Sequence, residues 1–287
     1  MMPDALEQVR QRVESAPIHE DPFPHIEIRQ LLPPDAFAEL SAAIPPLEYF
    51  RAAKSETKLD LDIAELDEHF SRAPQGSQAA WLEARDGLFR DTVAPILARR
   101  LEDGIRHSYA YVFGEEVADE LLDSGLAPTQ GRIMCRKPGY KLRPHSDSAH
   151  FAVTCLLYFS SARDLDTGAL SLYRPERTPE LRHASTYYAE KEEGIAAEAV
   201  KSIEVGENVF VAFVNGPRSL HGFHVDRKQA DETFSRFVYQ CHLRPRHFDL
   251  NELYGRFDAP ARSRWERKVG RIRSESSDDV QSPAPRS

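Results

Sequence analysis

Residues 143–159 read RPHSDSAHFAVTCLLYF, and two features of this stretch decide the fold. His145 and Asp147 stand two positions apart, so on an extended chain both side chains project from the same face. The apolar run that follows is rich in residues favoured in strands, and it has the continuous apolar character of a strand covered on both faces. Similar short runs recur at 131–136, 169–173, 208–214 and 236–243, separated by the turn-rich segments KPGYKLRP, SSARDLDTG and VNGPRS. Many short strands with turns between them, and no helical pattern interleaved, predict an antiparallel sandwich or barrel rather than a parallel sheet.

Upstream of this region the texture differs. Residues 1–16 carry a helical pattern, and DPFPHIEIRQLLPPDAFAELSAAIP reads as a short strand, a Pro-Pro helix start and an amphipathic helix ended by Pro45. From Ser77 to Leu122, Trp81, Leu82, Leu88, Phe89, Val93, Ile96 and Leu97 recur at three- and four-residue steps, which predicts helices covering a core on one side. The expected organisation is α+β. A helical support region spans 1–126 and a strand-rich core 127–250, followed by a helical segment over 251–273 and a disordered tail over 274–287, where large apolar residues are almost absent.

Composition narrows the function. A net charge of -9 opposes broad attraction to phosphate backbones, so nucleic acid is not expected as a partner. No apolar run approaches membrane-spanning length, and the N-terminus lacks a cationic start followed by an apolar stretch, so no membrane partner and a cytoplasmic location are expected. Cys135, Cys155 and Cys241 are odd in number and lie within apolar runs, which predicts buried reduced thiols and not a disulfide framework. No sustained heptad pattern argues an assembly, and the oligomeric state is left open.

In a chain with 11 histidines an isolated His-x-Asp is weak evidence, but this pair precedes a buried strand and is followed by NVFVAFVNGPRSLHGFHV. That segment supplies another apolar strand, a tight turn and further histidines. Two imidazoles and a carboxylate on one face of an octahedron suit Fe(II) and leave positions open. For the third ligand, His221 competes with His224; if 218–223 is extended, Ser219, His221 and Phe223 share a face that His224 does not. His242 on the last apolar run is the outside option, with a core imidazole as its ordinary reading. Arg236 opens that run, and a guanidinium at the inner end of a strand is costly unless it meets an anion such as a carboxylate; a solvated strand-end arginine is the alternative. Tyr158 shares a face with Thr154, and the pair are candidates for the same carboxylate, against simple core packing. Arg143 and Arg174 are candidates for an anionic substrate group, against solvated rim charges, and 177–201 could form a lid.

The ordered segments KPGYKLRPHSD, VTCLLYFS, TGALSLYRP, NVFVAFVNGPRSLHGF and SRFVYQCHL, with the lead-in DPFPHIEIRQLLPPDAF, resemble the Fe(II)/2-oxoglutarate-dependent dioxygenase superfamily, in particular its prolyl-hydroxylase-like branch. The likeness runs from Gly131 to Leu243. It implies a double-stranded β-helix, a jelly-roll or cupin-like barrel, with the mostly helical N-terminal half packed on it. It matches His145, Asp147 and His221 to the iron ligands, Arg236 to the residue that pairs with the distal carboxylate of 2-oxoglutarate, and Tyr158 to a tyrosine assisting it. Departures are the insertion VDRKQADETF before Arg236, which makes Arg227 a remote rival, and Arg136 and Lys137 where relatives often place a tyrosine before Pro-Gly. Retention of Asp147 disfavours halogenation, since related halogenases replace that carboxylate.

The resemblance implies Fe(II), 2-oxoglutarate and O2 as cofactor and cosubstrates, and hydroxylation of a C–H bond of a small molecule or amino-acid side chain with release of succinate and CO2. Two rivals stand beside it. One is a cupin-type metal-dependent isomerase or dioxygenase with no need for 2-oxoglutarate; the other is a non-catalytic jelly-roll binding module.

Overall fold

In the computed structural model, the described residues are 3–159, 168–179, 186–225, 235–247, 249, 253 and 255. The expected helical segment at 251–273 lies almost wholly outside them, as do the tail and Arg227.

The apolar runs are strands of two antiparallel sheets. Strands β6 (Arg132–Arg136), β7 (Lys141–His145), β8 (Val153–Tyr158), β9 (Ala169–Pro175), β10 (Ala197–Glu204), β11 (Val209–Val214), β12 (Leu220–His224) and β13 (Arg236–Pro245) pair in a nested way. The first meets the last, β6 with β13; then β7 meets β12, β8 meets β11, and β9 meets β10. The pairs β13–β8 and β12–β9 complete two sheets whose central orders are β11-β8-β13-β6 and β10-β9-β12-β7.

The larger sheet has a core on each face, which is why β8 and β11 are buried along their whole length. Met134, Leu156, Tyr158, Val211, Phe213 and Val238 face the smaller sheet, together with Leu170, Leu172 and Phe223 from it. Cys135, Cys155, Leu157, Phe210, Tyr239 and Cys241 face the helices. Among those helices, α1 (Pro3–Ser15) buries Ala5, Val9 and Val13 at four-residue steps. It packs on the continuous helical stretch formed by α3 (Gln75–Glu83), a π-helical segment (Ala84–Val93) and α4 (Ala94–Arg100). Arg100 donates to the carbonyls of Val13 and Ala16, both at 2.5 Å, satisfying groups that the end of α1 leaves unpaired. Trp81 and Phe89 carry the stretch onto the sheet, stacking on Tyr239 at 5.7 and 4.2 Å between ring centroids. α2 (Pro34–Ala42) begins at the Pro-Pro step as expected, and α5 (Glu102–Phe113) and α6 (Glu115–Asp123) complete the helices of this half.

The first 126 residues are less helical than their pattern suggests. β1 (Ile18–His19) and β2 (His25–Arg29) extend the larger sheet beyond β11, while β3 (Arg51–Ser55) and β4 (Lys58–Asp62) form a hairpin that extends it beyond β6; β5 (Leu126–Pro128) pairs with the end of β13. The hairpin is charged, which conceals it from a search for apolar runs. Its alternation KLDLD is nevertheless a strand signal: Leu59 and Leu61 turn to the helical core, and Lys58, Asp60 and Asp62 turn the other way. All three cysteines are buried and free, as expected. Among the described residues no helix is long and apolar enough to cross a membrane.

Candidate metal centre

His145 ends β7, His221 lies on β12, and the two are Cα partners across the smaller sheet. Asp147 follows two residues after His145. One ligand-type atom from each of the three lies within 4.8 Å of the others, so His145, Asp147 and His221 form a group able to hold a metal ion. The imidazole Nε2 atoms of His145 and His221 stand 3.6 and 3.8 Å from the Asp147 carboxylate oxygens. Each Nδ1 faces a carbonyl, that of Arg143 at 3.0 Å and that of Ser219 at 3.3 Å. A carbonyl only accepts, so each Nδ1 carries the proton and each Nε2 presents its lone pair to the centre.

The local backbone explains how these side chains meet. Pairing between β12 and β7 runs from His221 opposite His145 to Phe223 opposite Leu142, two residues on one strand against three on the other. This bulge breaks the alternation on β7, so Leu142 and His145 both face inward and Arg143 is turned out. The glycine between His221 and Phe223 permits the approach: a Cβ on Gly222 would lie 2.9 Å from the Leu142 carbonyl oxygen. His224, on the opposite face from His221, is exposed and pairs with Lys141.

Asp147 is held from behind. Asn215 Nδ2 donates to Thr154 Oγ1 at 2.8 Å, and the Thr154 hydroxyl donates to Asp147 Oδ2 at 2.7 Å. The hydroxyl of Thr154 is thus spent on the carboxylate ligand, and Thr154 is not part of the cavity lining. His242 does not join the group of three. Its Nε2 sits 3.5 Å from Asp147 Oδ2, and its ring stacks on Phe151 at 4.0 Å, beside the same oxygen that Thr154 supports.

Electrostatics favour ligand-ready forms. Burial by itself raises the Asp147 pKa, but the surrounding imidazoles, His221 first and then His145 and His242, outweigh it, and the carboxyl is held well below its usual range. Burial, helped by the neighbouring His145, pushes the His221 imidazole down from 6.5 to about 4. Outside the site, burial and the Lys201 ammonium do the same to His25, whose Nδ1 donates to the Phe23 carbonyl and whose Nε2 accepts from Lys201 Nζ at 2.8 Å. Both imidazoles are neutral in the fold, whereas in the unfolded chain they take up protons as pH falls below 6.5. The metal-free protein therefore loses stability between pH 6.5 and about 4, at up to about 1.4 kcal/mol per pH unit for a group as buried as His221. Melting the metal-free protein at pH 7 and pH 5 reads this; a higher midpoint at pH 5 would contradict it.

The three ligand residues open onto a cavity of about 160 Å³ between the sheets, which Arg236 and Tyr158 also line. Arg236 is fully buried, donates from Nη1 to the Gly168 carbonyl at 2.8 Å, and lies over the Phe223 ring at 5.1 Å. Burial raises the Tyr158 pKa, keeping the phenol protonated as a donor. Arg143 and Arg174 are elsewhere. Arg143 is exposed by the bulge, and Arg174 is an exposed partner of Asp21 at 2.5 Å; neither lines the metal cavity. Residues that sequence reading missed take their place: Lys58, Arg132, Arg136, Tyr140, Tyr188 and Gln240. Tyr188 comes from the segment expected to form a lid. A two-way backbone bridge between Ser146 and Tyr187 ties that segment to the residue between the ligands, and Tyr188 stacks on His145 at 5.5 Å.

No protein-family model matches the chain, and no curated protein does. Solved structures do. A prolyl hydroxylase from Trichoplax adhaerens, in complex with a hypoxia inducible factor peptide fragment, is 11% identical; the match covers 84% of this chain and 89% of that one at a TM-score of 0.45. HygX from Streptomyces hygroscopicus, with nickel and 2-oxoglutarate bound, is 10% identical over 86% and 89% of the chains at 0.41. An oxidoreductase of the 2OG-Fe(II) oxygenase family from Burkholderia pseudomallei is 9% identical over 85% and 90% at 0.42. The chain carries a His-Asp-His group of its own.

Proposed function

We propose that this chain is a non-haem Fe(II)- and 2-oxoglutarate-dependent dioxygenase built on a double-stranded β-helix, and that it hydroxylates a C–H bond of a small molecule or an amino-acid side chain. One observation carries the reading: a His-Asp-His group and a fully buried arginine line the same small cavity. The nested pairing of β6 to β13 supports the barrel assignment. Two imidazoles and one ionised carboxylate suit Fe(II) and leave coordination positions for a chelating cosubstrate and O2. A metal site alone would serve a cupin-type isomerase equally well, but such an enzyme has no use for Arg236 at the cavity end.

When bound, Fe(II) with 2-oxoglutarate and O2 supplies the oxidising chemistry, and 2-oxoglutarate leaves as succinate and CO2. The chain's share is positioning. His145, Asp147 and His221 hold the metal, and the Asn215–Thr154 relay fixes the carboxylate against rotation. Arg236 clamps the distal carboxylate of 2-oxoglutarate through paired donors, with Tyr158 donating beside it. Tyr188 stacks on His145 and covers one face of that imidazole.

Anaerobic titration of the Fe(II)-loaded protein with 2-oxoglutarate tests this. A weak visible charge-transfer band should grow to saturation at one equivalent. Bound iron with no band would overturn the cosubstrate assignment and favour the cupin-type reading.

A further inference from the structure

The cavity wall between Arg236 and the metal group carries a cation that neither metal nor cosubstrate accounts for. Arg132 and Arg136 both face inward from β6. Arg136 Nη1 donates to Asp60 Oδ1 at 2.7 Å and to the carbonyls of Leu59 and Cys135 at 2.9 and 3.1 Å; Arg136 and Asp60 are both about 4% exposed. The charge of Asp60 is therefore taken by Arg136. Arg132 Nη1 lies 3.8 Å from the other Asp60 oxygen, outside hydrogen-bond range, while its Nε and Nη2 both donate to Gln240 Oε1 at 2.9 and 2.5 Å. Asp62, the other carboxylate on this face of β4, is hydrogen-bonded by Arg51. Asp62 is also the Cα partner of Arg132, so Arg132 has carboxylates near it, but its hydrogen bonds go to neither: a neutral amide holds it in a fixed orientation.

Its position is as telling as its charge. Arg132 is the Cα partner of Gln240, two residues along β13 from His242, whose Nε2 touches the Asp147 carboxylate. That is one inward-facing row, or roughly 7 Å along the strand, from the row beside the metal group. Arg132 and Gln240 also line an open concavity of about 350 Å³ bounded by Asp62, Thr129, Phe151 and His242, so they form a shared edge between it and the metal cavity; Asp62, the carboxylate of this lining, is hydrogen-bonded by Arg51. A molecule seated in the concavity can place an anion on Arg132 and a carbon toward the metal.

We propose that Arg132, oriented by Gln240, binds an anionic group of the organic substrate, a carboxylate or phosphate, and so selects acids over their neutral analogues. The inference rests on the oxygenase reading for its location, but its test is separable from that reading. Zn(II)-loaded protein, with and without saturating 2-oxoglutarate, is titrated with phenylacetate, phenyl phosphate and phenylacetamide, and binding is read by ligand-observed NMR. In the wild type at least one of the two acids should bind about tenfold or more tighter than the amide, and which one is tighter distinguishes carboxylate from phosphate. Arg132→Gln should bring the acids to the level of the amide, Arg132→Lys should retain part of the preference, and Gln240→Leu should lose part of it, with cooperative melting confirming each fold. Equal binding of acids and amide by the wild type, no binding of either acid, or undiminished acid binding in Arg132→Gln would each overturn the proposal. Arg132-dependent acid binding in protein whose 2-oxoglutarate signals show no binding would uphold the anion site and sink the oxygenase reading instead.

Discussion

Asp147→Asn should fold as the parent does, lose Fe(II) affinity by about 100-fold or more, and give neither the 2-oxoglutarate band nor succinate. The substitution keeps the shape of the side chain, and its carbonyl oxygen can still accept from Thr154, so the cost lies in the charge. An ionised carboxylate beside two imidazoles is the single anion of the group, and its low pKa means that the charge is present throughout the physiological range. Outer partners of metal ligands alone are worth roughly 10–100-fold in affinity or activity, so a ligand's own charge belongs at or above the upper end of that range. Thr154→Val provides the graded comparison. It leaves all three ligands but removes the donor to Asp147 Oδ2 and strands Asn215, and about tenfold weaker metal binding is expected. Anaerobic metal titration by calorimetry separates the two variants; wild-type affinity in Asp147→Asn would remove Asp147 from the centre.

What the sequence disclosed about this site follows from what strand periodicity can carry. The shared face of His145 and Asp147, and the choice of His221 over His224, need only a period of two over a few residues, and the structure has both. The burial of Arg236 at the cavity follows from its place opening an apolar strand, where a charge has no cheap burial without an anion. Arg143, a candidate for an anionic substrate group against a solvated rim charge, is turned outward by one extra residue in β7. The bulge is set by the packing of β12 on β7, and its one local mark, Gly222, lies on the partner strand and does not say which residue of β7 is turned out. The β3–β4 hairpin was hidden because its cavity-facing side chains are charged, in the pattern of a solvated segment. Arg132 and Arg136 depend on that hairpin, since Asp60 and Asp62 on β4 decide which cations on that wall are already paired. Tyr188 depends on a bridge between residues 146 and 187, a contact that no pattern within either segment announces.

Arg236→Leu is expected to weaken 2-oxoglutarate binding by roughly 100-fold while leaving metal affinity close to that of the parent. Truncating one partner of a buried, hydrogen-bonded charge pair costs about 2–5 kcal/mol, and about 3 kcal/mol corresponds to two decades in Kd. The location of Arg236 sets the direction of the effect. Its guanidinium is fully buried, anchored by Nη1 on the Gly168 carbonyl and faced by the Phe223 ring, so it is preorganised and loses little entropy when a carboxylate docks. Leucine removes the charge but keeps an apolar group against Phe223, which limits the packing cost. Arg236→Lys should lie between the two, since an ammonium keeps the charge but cannot present two parallel donors. Because the distal carboxylate lies far from the reacting end of 2-oxoglutarate, the loss should appear as a higher KM for 2-oxoglutarate, with kcat at saturation reduced much less. The anaerobic band, titrated across wild type, Lys and Leu variants, supplies the binding constants directly. Unchanged affinity in Arg236→Leu, with the fold intact by melting, would move the distal carboxylate to another cation of the cavity, of which Arg136, the Cα partner of Arg236 on β6, is the nearest by register.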